Sequence, residues 1–432
     1  SVPDLEGLSS LRIFDISICQ NLEIVPIVGQ CSSLKKLYIS SCRKLSKIGD
    51  GLSTSTSLEE LKLSDCPNLS SIPDLGLPSL RILDISICQN LEIVPIRGQC
   101  SSLAKLHISS CRKLSKIGDG LSTSICLEEL KLSDCPNLSS IPDLEGLPSL
   151  RILDISICQN LEIVPIGELC LSLEVLYVRA CAKLSHIRSA LPIRLGYLRI
   201  VNCPNLRSIP RILHGYITEL DFTGLCKSLT SLLPVLLQSN TRVSNLTLSD
   251  LPDLRSIPES VGKLHFLRHL TIKRCPTLRS IPNDCIGSLT CLRSLDIGGF
   301  SEELEEFPGF DSIRRLSASL KELRLRGWAK LSSLPYQLQH LTALEELEIQ
   351  RFHGIEALPD WLGNLSSIKR LGIDSCDKLV YLPSELVRRS LSKVIAFEIS
   401  ACPRLEARRS KESCSEWFNI SVIRRTPIKR KR

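Results

Sequence analysis

Apolar residues recur along this chain in one fixed frame of spacings. The frame reads L-x-x-L-x-L-x-x-C-x-x-L-x-x-I/V-P, and its first copy is occupied by Leu11, Phe14, Ile16, Cys19, Leu22, Val25 and Pro26. It returns every 22 to 28 residues, with one blurred copy at Ile217. The other copies begin at Leu34, Leu58, Leu80, Leu103, Leu127, Leu150, Leu173, Leu195, Val243, Leu267, Leu292, Leu320, Leu344, Ile368 and Val394. This repetition predicts a solenoid in which each coil packs against its neighbours.

A longer repeat lies over the first. The string RILDISICQNLEIVPI occupies residues 81–96 and 151–166, and residues 12–27 differ from it only at Phe14. SCRKLSKIGDGLSTS likewise occurs at residues 41–55 and 110–124. A block of about three coils has therefore been duplicated in tandem, which an array of coils tolerates well.

The centre of each copy has the periodicity of a β-strand, because two apolar residues stand two positions apart. Successive coils run in the same direction, so their strands are expected to stack into a long parallel sheet on the concave face of a horseshoe or right-handed superhelix. Only about seven to twelve residues join the I/V-P corner to the next strand. We therefore predict an α/β solenoid with short 3₁₀, extended and helical segments on its convex face, and more helix over residues 258–270.

The frame predicts a solenoid of about seventeen coils over residues 1–402. Residues 403–432 are expected to form a C-terminal cap and basic tail, in which Trp417, Phe418, Ile420 and Ile423 cover the open edge of the sheet. The first residues, SVPDLEGLSSLR, match residues 140–151. We accordingly expect an N-terminally truncated array.

Twelve of the 20 cysteines occupy one slot of the frame. In other copies the same slot holds Leu225, Leu251, Phe300, Trp328 or Phe352. A position that accepts Cys, Leu, Phe and Trp is a buried packing position, where cysteine acts as a small hydrophobe. We expect reduced thiols, which fit the cytoplasm or a nucleocytoplasmic protein. Zinc-ligand spacing is absent, so no metal or other cofactor is predicted.

Charge and hydropathy exclude several function classes. The net charge is +8, but residues 403–432 hold ten Lys/Arg against three Glu, so the repeats themselves are nearly neutral. That balance argues against a nucleic-acid groove. No apolar run is long enough for a membrane span, and Ser, Asp and His fall in repeat slots rather than in an oriented catalytic trio. We expect a binding module and no enzyme.

Several repeats resemble a known family. SDCPNLSSIPDL, KRCPTLRSIPND and DSCDKLVYLPSEL, together with the closing CPRL and EWFNI, are similar to the C-terminal leucine-rich repeats of plant intracellular nucleotide-binding (NB-LRR) immune receptors. The chain lacks the G-x-x-x-x-G-K-[ST] loop of their nucleotide-binding module, and its KRKR end departs from their usual apolar segment. The resemblance implies effector sensing or autoinhibition in plant innate immunity. Its implied partner is a pathogen effector, a guarded host protein or the parent protein's own switch domain.

The predicted partner-binding residues are the variable side chains of the concave face. Acid, aromatic and basic residues recur there every third coil, and aromatic and Arg side chains are frequent interface hot spots. A mutual pairing of these charges on a solvated surface is the competing interpretation. The candidates are Tyr38, His107, Tyr177, Arg199, Arg268, Lys273, Arg274, Arg324, Arg326 and Arg351. Charge reversal at Arg324 and Arg326 is expected to weaken partner binding.

Two other functions stay open on the sequence alone. The chain contains five N-x-S/T sequons, which would suit the ectodomain of a cell-surface receptor. However, the L-x-G-x-I-P corner typical of plant extracellular repeats is missing. The KLSKIGDGLS coils at residues 44–53 and 113–122 resemble the substrate-adaptor repeats of F-box ubiquitin ligases.

Overall fold

The computed structural model of the chain describes residues 10–27, 31–98, 100–167, 169–188, 194–208, 216–225, 233–384 and 394–411. It divides into two compact units, Ser1–Ile217 and Thr218–Arg432. The expected cover of Trp417, Phe418, Ile420 and Ile423 lies outside the described residues.

The first unit is built on a parallel sheet of five-residue strands, one for each copy of the frame. Strands are numbered in chain order, including the two-residue strands given below. The sheet strands described here are β1 (Ile13–Ser17), β3 (Lys36–Ser40), β5 (Glu60–Ser64), β6 (Ile82–Ser86), β8 (Lys105–Ser109), β10 (Glu129–Ser133), β11 (Ile152–Ser156), β13 (Val175–Arg179) and β15 (Tyr197–Val201). Each pairs in register with the next one in this series.

The second unit repeats the arrangement with longer coils. Its sheet strands are β16 (Glu219–Thr223), β17 (Asn245–Ser249), β18 (His269–Lys273), β19 (Ser294–Gly298), β20 (Glu322–Arg326), β21 (Glu346–Gln350), β22 (Arg370–Asp374) and β23 (Ala396–Ser400). Consecutive strands again pair in parallel register. The strand placement and parallel pairing that the frame predicts are thus confirmed.

Side chains alternate across each strand as the frame requires. In β6, Leu83 and Ile85 are buried, whereas Ile82, Asp84 and Ser86 are part-exposed. The second and fourth residues of a strand therefore form the core, and its first, third and fifth residues point away from it. We call the surface formed by these three positions the outward face.

A left-handed turn follows nearly every strand. The residue after the strand has φ between 49° and 58° in fourteen described coils, among them β-branched Ile18, Ile87 and Ile157. In twelve of these coils its amide N–H donates to the last strand carbonyl of the next coil, as from Ile18 to Ser40 over 2.9 Å. The same Ser40 carbonyl accepts the Cys42 thiol over 3.4 Å. One carbonyl oxygen thus accepts two donors, one within its coil and one from the coil before.

The slot cysteines are buried, as the sequence predicts, apart from the half-buried Cys19. Every cysteine in the described part of the chain is free. Burial raises the pKa of the Cys66 thiol to about 11 and that of Cys158 to about 12. These thiols therefore stay protonated and act as packing groups with one weak hydrogen bond.

Large aromatic side chains fill the same slot in part of the second unit. Phe300, Trp328 and Phe352 are buried there, and the longest coil adds Phe307 and Phe310. The Phe307 ring lies 5.2 Å from that of Trp328 and 4.8 Å from that of Phe310, measured between centroids. The Trp328 indole N–H donates to the Leu304 carbonyl over 2.7 Å. The larger coil therefore packs its extra residues around an aromatic cluster.

The described connections between the sheet strands are extended or 3₁₀ apart from one short helix at Leu233–Ser239, which confirms the prediction from the short connections. Two-residue strands pair as β2 (Ile24–Val25) with β4 (Lys47–Ile48), β7 (Ile93–Val94) with β9 (Lys116–Ile117), and β12 (Ile163–Val164) with β14 (His186–Ile187). The 3₁₀ turns span Asp50–Thr54, Asp119–Thr123, Glu259–Lys263, Ile313–Leu316, Tyr336–His340 and Asp360–Asn364. The helix expected over residues 258–270 is thus one 3₁₀ turn.

Two α-helices are described, α1 (Leu233–Ser239) and α2 (Pro403–Lys411). In α2, Leu405 is buried and Arg408 lies 4.9 Å over the Tyr381 ring. Arg408 also donates to the Val380 carbonyl over 3.4 Å. Helix α2 therefore packs back on a preceding coil. No described helix could cross a lipid bilayer.

Candidate protein-binding face

The outward face of the first unit carries a buried carboxylate surrounded by donors. Glu60, the first residue of β5, is only 8% exposed. It accepts the Tyr38 hydroxyl over 2.7 Å and pairs with Lys62 over 2.6 Å and Lys36 over 3.3 Å. Burial acts to raise the pKa of Glu60, but hydrogen bonds from Lys62, Tyr38 and Lys36 outweigh it and lower that pKa to about 2. The carboxylate is therefore a fixed internal charge.

The three-coil duplication repeats this arrangement around Glu129 in β10. Lys131 and Lys105 pair with Glu129, the latter over 3.6 Å, and His107 Nε2 lies 3.5 Å from its carboxylate. Burial opposes ionisation here too, and the lysine and histidine contacts outweigh it, so the pKa of Glu129 is lowered. His107 thus takes the place of Tyr38 at a longer distance.

The third copy has diverged into a cation–π contact. The Arg199 guanidinium in β15 lies 5.8 Å over the Tyr177 ring in β13. The aromatic candidates Tyr38, His107 and Tyr177 therefore lie on the outward face, as expected, but each is engaged by a neighbouring coil. In this unit, the charged and aromatic side chains of the outward face therefore pair with one another, as in the competing interpretation of the sequence.

Three of the predicted arginines lie beside the strands of the second unit and not within them. Arg268 precedes β18, and Arg274 and Arg351 follow β18 and β21 in the left-handed turn, with φ of 52° and 57°. Arg274 also holds Asp250 in a two-pronged ion pair, Nε to Oδ1 over 2.5 Å and Nη2 to Oδ2 over 2.6 Å. Arg274 also donates to Ser249, the last residue of β17, over 3.1 Å, so its side chain still reaches the edge of the outward face.

The other basic candidates do lie on the outward face. Lys273 ends β18 and pairs with Asp296 over 3.2 Å. Arg324, at the centre of β20, pairs with Glu348 over 3.0 Å and is half exposed. Arg326 ends β20 and donates to the Gln350 side chain over 2.7 Å, while its Nε atom is buried. Arg324 is therefore the most accessible of the three.

A depression opens on the outward face between β20 and β23. At the central strand position, neighbouring strands carry Arg324, Glu348 and Glu398, but β22 carries Gly372. The missing side chain leaves a cavity of about 200 Å³. Its charged lining consists of Glu322, Arg324, Glu346, Glu348, Arg370 and Glu398. We call this site the Gly372 depression.

Sequence reasoning missed the central features of both units. Glu60, Glu129, Gly372 and Glu398 were not among the candidates. A glycine in the middle of a strand often marks a close approach or an open site, and this rule could have identified Gly372. Glu60 is covered by lysines from two different strands, Lys36 in β3 and Lys62 in β5. Their proximity can be recognised only when the register between the two strands is known.

Comparison with solved structures settles the fold. A leucine-rich-repeat protein of Leptospira interrogans matches with a TM-score of 0.50 and 20% identity, over 91% of this chain and 97% of that one. This chain is a leucine-rich-repeat solenoid. No family model matches it.

Curated relatives of the repeat chain come from plants. Disease resistance protein RPP5 of Arabidopsis thaliana is 28% identical over 71% of the chain and 22% of its own length. The Arabidopsis protein SUPPRESSOR OF npr1-1, CONSTITUTIVE 1 is 31% identical over 36% of the chain and 12% of its own length. The match to RPP5 thus spans about a fifth of that protein. These relatives confirm the resemblance to plant disease resistance proteins.

Proposed function

We propose that this chain is the partner-recognition segment of a plant disease resistance protein, acting in the cytoplasm in effector sensing or autoinhibition. The similarity to RPP5 along 71% of the chain supports this function over the cell-surface ectodomain and the F-box adaptor. The chain acts by binding and has no catalytic role. Its partner is a protein: a pathogen effector, a guarded host protein or the parent protein's switch domain.

The binding surface is the outward face of the second unit, from β20 to β23. One observation carries this assignment, namely the Gly372 depression with half-exposed charges around it. The side chains of Arg324, Arg370 and Glu346 are 51%, 59% and 42% exposed. The buried residues below them hold their backbone in register, so a partner would meet charges in fixed positions.

Site-specific photocrosslinking tests the surface. A photoreactive amino acid is placed at position 324, or at exposed Lys330 in the turn beyond β20 as a control. Crosslinks formed in plant leaf tissue identify the proteins that contact each position. We expect a protein that reacts with position 324 and not with position 330.

The purified partner then allows a quantitative test. Arg324→Glu is expected to weaken binding about tenfold, as for a charge within an interface, while Lys330→Glu changes affinity less than about twofold, as for a charge outside it. Arg326 is left unchanged because its buried Nε would make reversal disturb the fold. Equal affinities of Arg324→Glu and wild type, with unchanged Tm, would remove this face from the interaction.

A further inference from the structure

The Gly372 depression has room that the fold does not use. A Cβ atom added at Gly372 would meet no atom closer than the Glu348 Cγ, at 3.5 Å, which is ordinary van der Waals contact. Glycine also weakens the interior of a strand because it has no side chain to pack. Neither crowding nor a left-handed turn therefore requires glycine here, and its effect is to leave the cavity open.

The charges around the depression are unbalanced. Four carboxylates line it, those of Glu322, Glu346, Glu348 and Glu398, against the two guanidinium groups of Arg324 and Arg370, which leaves a net charge of −2. Part of this charge is neutralised within the lining, because Glu348 pairs with Arg324 over 3.0 Å and accepts the Gln350 amide. Arg370 divides itself between Glu346 at 3.9 Å and Glu398 at 3.7 Å, both longer than a hydrogen bond.

The register fixes where a ligand would contact this surplus. Glu348 and Glu398 flank Gly372 on the adjoining strands. Strands in a sheet lie about 4.8 Å apart, so the two backbones stand about 9.6 Å apart across the empty position. A flat cation entering between them can donate to a carboxylate on each side.

We propose that the Gly372 depression binds an arginine side chain of the partner protein, with its guanidinium group over Gly372 and between Glu348 and Glu398. Arginine suits the site because its planar group presents donors along two edges and remains charged. Charge-assisted hydrogen bonds of this kind fix orientation as well as adding affinity. The proposal deepens the proposed function, since it names the group that the surface recognises.

A small probe tests the depression without the partner. The full chain is labelled with ¹⁵N-glycine and titrated with N-acetyl-arginine amide, and the Gly372 amide resonance is followed. N-acetyl-citrulline amide is the control, because it has nearly the same shape and no charge. We expect a saturable shift at Gly372 with the arginine compound and none with the citrulline compound.

Variants separate the two walls of the site from its surroundings. Glu398→Gln should weaken the arginine probe about fivefold, at the upper end of an exposed ion pair. Glu345→Gln is the matched control, because Glu345 pairs with Lys369 and Lys321 outside the depression. Gly372→Leu should abolish binding, followed through the saturation-transfer signal of the probe, without lowering Tm.

The outcomes distinguish this inference from the proposed function. Equal shifts with the arginine and citrulline compounds, or no saturable shift at Gly372, would overturn the arginine site. Partner binding that still depends on Arg324 would then leave the proposed surface intact. Conversely, a saturable arginine shift together with a partner indifferent to Arg324→Glu would show that the depression binds arginine but would remove this face from partner recognition.

Discussion

Replacing Glu60 with glutamine is expected to destabilise the first unit. The substitution keeps the size of the side chain but removes the negative charge that Lys36, Lys62 and the Tyr38 hydroxyl surround. Lys36 and Lys62 are then left close together on adjoining strands without their shared counter-ion. The variant therefore tests whether the buried carboxylate holds three strand positions together.

The expected magnitude follows from the pKa of Glu60. Lowering that pKa from 4.5 to about 2 corresponds to about 3 to 4 kcal/mol, at about 1.4 kcal/mol for each pKa unit. The Lys36 and Lys62 side chains are 41% and 47% exposed. Solvent therefore screens part of the attraction, and we expect Glu60→Gln to lower the free energy of unfolding by about 1 to 2 kcal/mol at pH 7.

The pH dependence provides the sharper assay. Because the folded-state pKa of Glu60 lies below its unfolded value, the stabilisation is complete above about pH 4.5 and is lost as the pH falls towards 2. Urea unfolding of wild type and Glu60→Gln at pH 7, 5, 4 and 3 measures this directly. The difference in free energy between the two proteins should shrink over the acid part of that series.

Glu59→Gln is the matched control. Glu59 pairs with Lys35 over 2.6 Å, but both side chains are well exposed, so its loss should change the free energy of unfolding by less than about 0.5 kcal/mol. Glu129→Gln should reproduce the Glu60 effect in weaker form, because His107 replaces the tyrosine. A Glu60→Gln protein with the urea midpoint of wild type at every pH would refute the reasoning.

Two further substitutions test the coil itself. Cys135→Ala removes a buried thiol that donates to the Ser133 carbonyl over 3.5 Å, and should lower the free energy of unfolding in urea by about 1 to 2 kcal/mol. The control Cys126→Ala removes an exposed thiol and should leave that free energy nearly unchanged. Equal losses in the two variants would contradict the packing role of the buried cysteines. Gly49→Ala would place Cβ 2.5 Å from the Ile27 carbonyl oxygen of the preceding coil, so the Tm of this variant should fall by several degrees. In the control Gly146→Ala the nearest atom lies 3.6 Å from Cβ, and Tm should not fall. An unchanged Tm for both variants would show that the close approach at Gly49 is not required.

Much of the fold could be predicted because one frame repeats and each copy constrains the next. Leu61 and Leu63 must face the core in the same way as Leu83 and Ile85, so the strands, their parallel pairing and the burial of the cysteine slot all follow from spacing alone. Local turn geometry did not follow from spacing. The left-handed residue after each strand includes isoleucine and arginine, types that by themselves do not indicate positive φ.

The candidate site was less predictable for a related reason. Side-chain identity shows that Arg274 is a cation, but it does not show that the residue lies in the turn after β18, where it pairs with Asp250 and donates to Ser249. The depression at Gly372 arises from a missing side chain, and a search for hot-spot residue types does not detect an absence. Its charge depends on pairing between β20, β21, β22 and β23, which requires the register of all four strands.

The hydrogen bond between the turn of one coil and the strand of the next limits how a gene for such repeats can gain coils by duplication. In twelve described coils the left-handed residue is held by a carbonyl that belongs to the following coil, so these coils are not chemically complete by themselves. A recombination event that adds whole coils restores every one of these contacts, wherever within the coil the breakpoint falls. One that adds a fraction of a coil leaves a strained residue without its acceptor. The near-identical segments at residues 81–96 and 151–166 are the expected trace of unequal crossing-over under that rule.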